Sequence, residues 1–474
     1  MKKTKIICTI GPSSSNEEMM RKMLLAGMDV ARLNFSHGTH EAHKKNIDLF
    51  RSVRDELGVP AAVLLDTKGP EIRIGDFKGG KAYLKAGERF VLTSDDSVLG
   101  DSGIVSTTFK RLPTQVKNGD KILVDDGRVE LRVEAVTETD VICTVVCGGT
   151  LADRKGVNIP YIHIDLPYLS ERDKEDLRFG VREDVDFVAA SFVRSAKDVT
   201  DLRNFLDYYG GHSIRIIAKI ENIEGVENFD EILAVSDGIM VARGDMGVEI
   251  DYEKLPGLQK KFSRKCYSAG KMVITATQML ESMIHNTTPT RAEITDIANA
   301  VFDGTSAIML SGETAMGDHP DLVVKTMAKI ALQAERDAFD MDIYRDSQYE
   351  NDAEDTTNAI CDAACTTAKD VNAAAIIAIT KSGYTARRVS KFRPIQPIIA
   401  PTPDMKTYHQ LSLSWGVYPV TAIYQNDTNF LFTHAIACAK MNGMVKEKDR
   451  VVITGGTEGY TDVLKVAVVP AALK

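Results

Sequence analysis

Short apolar runs rich in β-branched residues, each followed by an amphipathic stretch, recur through most of this chain, and no other feature limits its fold as tightly. Runs at 5–9, 29–34 and 62–66 are separated by helical patterns at 16–26 and 40–57. Such alternation indicates β-α units around a parallel sheet. It stops at about residue 71. From there to 167 come closely spaced strands and turns, such as 121–124 beside Asp126-Gly127 and 141–146 beside Gly148-Gly149, which predict a β-rich insertion. The alternation resumes with runs at 186–190, 215–218, 238–241, 272–275 and 307–310. Three runs before the insertion and five after it make eight, the number at which a (β/α)8 barrel closes.

Past a helical stretch at 320–337, a polar segment at 346–356 reads as a linker, and runs at 375–378, 398–400 and 450–453 predict a second α/β unit. The expected fold class is therefore α/β. A (β/α)8 TIM barrel would use 1–70 and 168–342, an inserted small β-barrel domain 71–167, and a C-terminal three-layer α/β domain 346–474. A length of 474 residues favours such division, because it exceeds what one core supports. The formal net charge of −9 would repel a polyanion, so nucleic acid is not an expected partner and any phosphate must be held locally. No apolar run is long enough to span a membrane, and the one at 6–8 is too short for a signal-peptide core. Seven Cys without a secretory signal then predict reduced thiols, no disulfide and a cytoplasmic location. Cys143 with Cys147, and Cys361 with Cys365, share a four-residue step, but no second pair or His stands at zinc spacing, so core packing is expected.

Barrel enzymes carry their reactive groups where strands end, because the following loops converge on one mouth. Strand two runs into Arg32, Asn34 and Ser36, strand three into Asp66 and Thr67, and strand five into Lys219 and Glu221. Strand six runs into Arg243, Gly244 and Asp245, strand seven into Thr277 and Gln278, and strand eight into Ser311 and Glu313. Residues two apart in a strand point the same way, so Lys219 is expected to share a direction with Glu221, and Arg243 with Asp245. Two carboxylates from neighbouring strands beside a lysine suit a Mg2+ (or Mn2+) that keeps some waters and takes oxygens from a substrate. Structural Lys–Glu and Arg–Asp ion pairs would use the same residues. In the C-terminal unit, 379–385 follows a strand and opens a helix, which makes either an anion cradle or an ordinary turn.

Six segments, at 32–38, 65–73, 219–222, 240–245, 276–283 and 309–315, resemble the motifs of the pyruvate kinase family in that family's order. The resemblance implies transfer of a phosphoryl group from phosphoenolpyruvate to ADP, giving pyruvate and ATP, the last step of glycolysis. It implies Lys219 as transition-state stabiliser, Arg32 as a second fixed cation, Glu221 and Asp245 as Mg2+ ligands, and the Gly244 backbone beside the substrate carboxylate. Thr277 would relay a proton through water; a helix N-cap after strand seven would also explain it. Asn34, Ser36, Asp66 and Thr67, all oxygen donors with one carboxylate, would form a K+ site, unless they serve only as a cap and turn network. The family's K+-independent members carry Lys where this chain has Glu71. Arg73 and Lys155 would contact nucleotide phosphates, and both flank the insertion, which would then act as a lid. Thr380, Lys381, Ser382, Gly383 and Thr385 would bind a sugar-phosphate or AMP effector, although Glu458, in the last loop at 455–460, would oppose a doubly phosphorylated sugar. A homotetramer is implied as well. The chain departs from the family pattern at Ser195, at Ser306 and at Asn286-Thr287-Thr288. A metal-dependent lyase or aldolase on a pyruvate enolate is the alternative; it would use Glu221 and Asp245 but not the oxygen cluster.

Overall fold

Alternate residues of the barrel strands serve two different cores. The computed structural model describes residues 1–344, 355–424, 428–456 and 460–471. Eight strands, Lys5–Thr9, Val30–Asn34, Ala62–Asp66, Phe187–Ala190, Arg215–Ile220, Gly238–Ala242, Met272–Ala276 and Ala307–Leu310, close into a parallel barrel, the first pairing with the last. Ile7, Val30, Leu64, Phe187, Ile217, Met240, Ile274 and Met309 fill the interior. Their neighbours Ile6, Ala31, Leu65, Val188, Ile216, Ile239, Val273 and Ile308 face outward into a second core shared with the helices. This is the period of two that a doubly covered strand imposes, and it explains why each strand reads as a continuous apolar run. Leu413, from the C-terminal domain, joins the interior core.

Local signals set the ends of the helices. Asn16 accepts from Met19 N and starts the helix Glu17–Ala26, which ends at Gly27 with φ 118°. Capping boxes at Ser170 and Thr290 start the helices Glu171–Arg182 and Arg291–Phe302. Ser195 caps the helix Ala196–Tyr208, and Ser306 Oγ accepts from Val273 N at 3.2 Å, so at both positions where the chain differs from the motifs it resembles the side chain serves backbone hydrogen bonding.

Between the third and fourth barrel strands the chain builds a seven-stranded curled sheet with a two-stranded ribbon. An isolated bridge from Ile74 to Thr107 brings the edges of that sheet together, making it barrel-like. Cys143 lies in its core, but Cys147, four residues on, is exposed. The expectation that both would be core residues is corrected there, because register shifts in the strand Asp140–Cys147 and its position at the strand's end turn Cys147 outward. All seven thiols are free.

The C-terminal sheet has five strands in the order Val417–Thr421, Ile398–Thr402, Ala375–Ala378, Arg450–Gly455, Val463–Val468, the last antiparallel. Helices cover both faces: Cys361, Ala364 and Val389 pack on Ile376 and Ile398, while Phe432 and Ala435 pack on Ile377 and Ile399. The two outermost strands went unpredicted. Pro419 in the first argues against a central strand, and it is tolerated because that strand is an edge. Among the described residues no helix is long and apolar enough to cross a membrane.

Candidate active site

The inward parity that fills the barrel with apolar side chains puts polar ones at its mouth. Val30 faces in, and so does Arg32; Leu64 is followed by Asp66, and Ile217 by Lys219. The Asp66 carboxylate sits between two cations, with Arg32 Nε donating to Oδ2 at 2.6 Å and Lys219 Nζ 3.2 Å from Oδ1. Lys219 also reaches Glu221 Oε1 at 2.9 Å and donates to Ser191 Oγ at 2.8 Å. Arg32 Nη1 donates to Thr9 Oγ1 at 2.8 Å, and Thr9 donates to the Leu310 carbonyl at 2.9 Å. Asp66 and Glu221 are each 1% exposed, so these contacts operate with little solvent screening.

Charge balance follows from that burial. For Lys219 burial works against the charged form, but Asp66, Glu221 and Asp245 outweigh it and hold the ammonium well above its ordinary range. For Asp66 burial is again opposed, by Lys219 and Arg32, and the carboxyl lies below its ordinary value. Glu221 goes the other way. Burial, with Asp245 adding like charge, pushes it up to about 7, although Lys219 and the Phe192 N–H at 2.5 Å favour its anion.

The expectation that Arg243 and Asp245 share a direction is corrected. The sixth strand ends at Ala242 and the helix Arg243–Glu249 begins at once, so the two side chains diverge. Arg243 pairs with Asp296 at 2.7 Å and donates to the Thr277 and Ala276 carbonyls at 2.6 and 3.2 Å. It is a brace. Asp245, half-buried, lines the cleft above the barrel mouth. Gly244 N donates to Thr277 Oγ1 at 2.8 Å, and Thr277 Oγ1 donates to the Ala276 carbonyl at 2.5 Å. A Cβ on Gly244 would meet Thr277 no closer than 3.5 Å, so packing does not require glycine there. Thr277 starts no helix, and the N-cap reading is corrected: Thr277 and Gln278 adopt φ of 73° and 55°. A β-branched residue in that region is strained, and such strain clusters at working sites.

Asp245 lies near enough to Glu221 to add like charge to it, which makes the two a candidate two-carboxylate site; among the described residues no three His, Cys, Asp or Glu side chains gather to hold a metal. Two carboxylates, one of them buried, fit Mg2+, which keeps positions for water and substrate oxygens. For K+ the donor set also fits: Asn34 and Asp66 are cross-strand partners, with Ser36 and Thr67 just beyond each strand. Part of the turn network is present too, since Ser36 N donates to Asn34 Oδ1 at 3.1 Å.

Two residues were missed by the sequence reading. Ser191 Oγ accepts from Lys219 and donates to the Thr67 carbonyl at 2.6 Å, with Asp66 Oδ1 3.2 Å away; Thr9 steadies Arg32. Both follow or end barrel strands, four and one, and the strand-end rule applied to those two would have found them. Arg73 and Lys155 are turned to Glu71 at 2.7 Å and Asp125 at 2.8 Å, while their neighbours Glu71, Ile72 and Gly156 line the cleft. That cleft is about 110 Å3, and Asn158 of the insertion donates across it to Glu249 at 3.1 Å.

In the C-terminal domain Thr380, Lys381, Ser382 and Thr385 line a separate cavity of about 250 Å3 with Tyr424, His434 and Tyr460. Gly383, at φ 80°, makes the turn into the helix Tyr384–Lys391. Glu458 falls outside the described residues.

A family model of the pyruvate kinase barrel domain matches residues 1–324, and one of the pyruvate kinase alpha/beta domain matches 358–467. The chain belongs to the pyruvate kinase family. A pyruvate kinase of Clostridium acetobutylicum is 48% identical over 473 residues, covering 99% of this chain and 100% of the relative. One of Staphylococcus haemolyticus is 48% identical over 475 residues, covering 99% and 81%. The crystal structure of a pyruvate kinase from Cryptosporidium parvum superposes with a TM-score of 0.92 at 40% identity, covering 99% of this chain and 96% of that one. Membership in the pyruvate kinase family makes the chain a phosphotransferase, and the lyase reading is not favoured.

Proposed function

We propose that the chain transfers the phosphoryl group of phosphoenolpyruvate to ADP, giving pyruvate and ATP, with Mg2+ at Glu221 and Asp245 and K+ at Asn34, Ser36, Asp66 and Thr67. The observation that carries this reading is Lys219, buried yet held charged between Asp66 and Glu221 at the barrel mouth. A phosphoryl group in flight spreads negative charge over its oxygens, so cations fixed in advance do most of the work. Asp66 orients both Lys219 and Arg32, and neither has to reorganise as the charge moves. Bound Mg2+ would add positive charge where the phosphoryl oxygens sit. The enolate left behind needs a proton at carbon. Thr277 relays it through water, since a hydroxyl alone is a weak acid, and Arg243 braces the strained turn that carries it.

The cleft is smaller than the roughly 300 Å3 at which small-molecule sites begin, so the lid opens for the nucleotide and Asn158 parts from Glu249. Arg73 and Lys155 then trade Glu71 and Asp125 for phosphate oxygens. Control by a sugar phosphate or AMP at Thr380 to Thr385, a homotetramer and a cytoplasmic location complete the proposal.

Pyruvate formation assayed with and without ADP tests the reaction: strict dependence on ADP is expected, and formation without it would favour a lyase. Replacing K+ by tetramethylammonium is expected to abolish most turnover; full activity without a small monovalent cation would refute the K+ site. The Glu221 shift sets a pH dependence. Because its folded pKa of about 7 is raised, the folded protein holds a proton there that a cation must displace. Mn2+ affinity measured by calorimetry should therefore weaken by up to about tenfold per pH unit below that value. Glu221→Gln should flatten the dependence, and an affinity already flat in the parent would count against Glu221 as a ligand.

A further inference from the structure

At the seam between the barrel and the C-terminal domain, four cations face one cavity of about 350 Å3. Arg215 opens the fifth barrel strand, Lys271 precedes the seventh, and Arg387 and Arg388 lie on the helix Tyr384–Lys391. The one carboxylate in the wall, Asp237, is already shared by Arg215 at 2.6 Å and Arg203 at 3.5 Å. Lys271 donates to the carbonyls of Leu233 and Ala234 at 2.6 and 2.8 Å. Arg387 donates to the Ser382 carbonyl at 2.8 Å, and the Arg388 guanidinium lies 5.0 Å from the centre of the Tyr384 ring. Neither Arg387 nor Arg388 has a carboxylate partner among the described residues.

We propose that this cavity is a binding site for a small phosphorylated anion, a phosphomonoester, distinct from the catalytic cleft and from the cavity lined by Thr380, Lys381, Ser382 and Thr385, with which it shares the Tyr384 side chain in its wall. Guanidinium forks match phosphate oxygens two at a time, and the cavity is of small-molecule size. The overall charge of −9 disfavours a polyanion, whereas one phosphate needs only the local field. Crowding agrees: burial, then Arg215 and Arg388, push Arg387 down to about 9 against the pull of Asp237. Burial, with Arg388, lowers Lys271 too, again against Asp237. An anion in the cavity relieves that mutual repulsion.

Tungstate, a phosphate-shaped anion with an anomalous signal, soaked into crystals of the unaltered full chain should give a peak within hydrogen-bond distance of Arg387 and Arg388. Peaks confined to the catalytic cleft and the cavity at Thr380, Lys381, Ser382 and Thr385 would overturn the proposal. In solution, equilibrium dialysis with inorganic phosphate should show one class of sites weakened about tenfold or more in Arg388→Gln. That variant leaves the Arg387 bond to Ser382 in place. Lys381→Ala, which alters the neighbouring cradle, should keep that class intact. Unchanged phosphate binding in Arg388→Gln overturns the assignment.

Discussion

Replacing Lys219 by methionine is expected to cut turnover by about 10³-fold or more, the scale of loss when a preorganised group facing transition-state charge is removed. Methionine keeps the length and apolar stem of lysine, so the change isolates the ammonium. That ammonium stands 3.2 Å from Asp66 and 2.9 Å from Glu221, both nearly inaccessible to water. Without it Glu221 loses the neighbour that favours its anion, and its carboxyl should rise further. Mn2+ binding should survive at alkaline pH, where Glu221 is ionised, and shift to higher pH than in the parent. Steady-state turnover and Mn2+ titration of the same preparation check both halves. A variant within tenfold of parental turnover would remove Lys219 from the mechanism.

Asp66→Asn should harm stability and turnover together. The carboxylate accepts from Arg32 at 2.6 Å, lies 3.2 Å from Lys219 Nζ, and has the Ser191 hydroxyl at 3.2 Å. Asparagine has nearly the same shape but supplies no charge, and half its polar end is a donor facing donors. Breaking one partner of a buried ion pair costs about 3–5 kcal/mol, because the remaining charge is left uncompensated. The sign with pH can be worked out. Asp66 lies below its ordinary value when folded, so in the parent its contribution is present above the unfolded pKa and is lost as pH falls through the folded one. The gap between parent and variant in urea melts should therefore be widest near neutral pH and narrow in acid. A variant as stable as the parent at neutral pH would mean that Arg32 and Lys219 find other partners.

Much of the fold was legible because its period is local. Fully buried parallel strands are apolar on both faces, so 5–9, 62–66 and 307–310 could be read directly, and Thr39, Ser170 and Thr290 mark helix starts by their own chemistry. The strand Val417–Thr421 was not legible, since whether a proline is admissible depends on which strands lie beside it. Parity in a strand gave Lys219 and Glu221 a common direction, in keeping with their 2.9 Å contact, and failed for Arg243 and Asp245, where the strand had already given way to a helix.

The amino-acid sequence by itself determined the barrel, its insertion, the second α/β unit and the strand ends at which chemistry collects, because apolar periodicity and motif order are written along the chain. Only the tertiary structure decided that Asp66 is shared by Arg32 and Lys219, that Ser191 supports Lys219, that Arg243 braces a strained Thr277, and that Arg387 and Arg388 meet Arg215 and Lys271 around one cavity. The reason is physical: these contacts join residues far apart in the chain, and their strength comes from burial and distances of a few ångströms that closure of the barrel and docking of the last domain create.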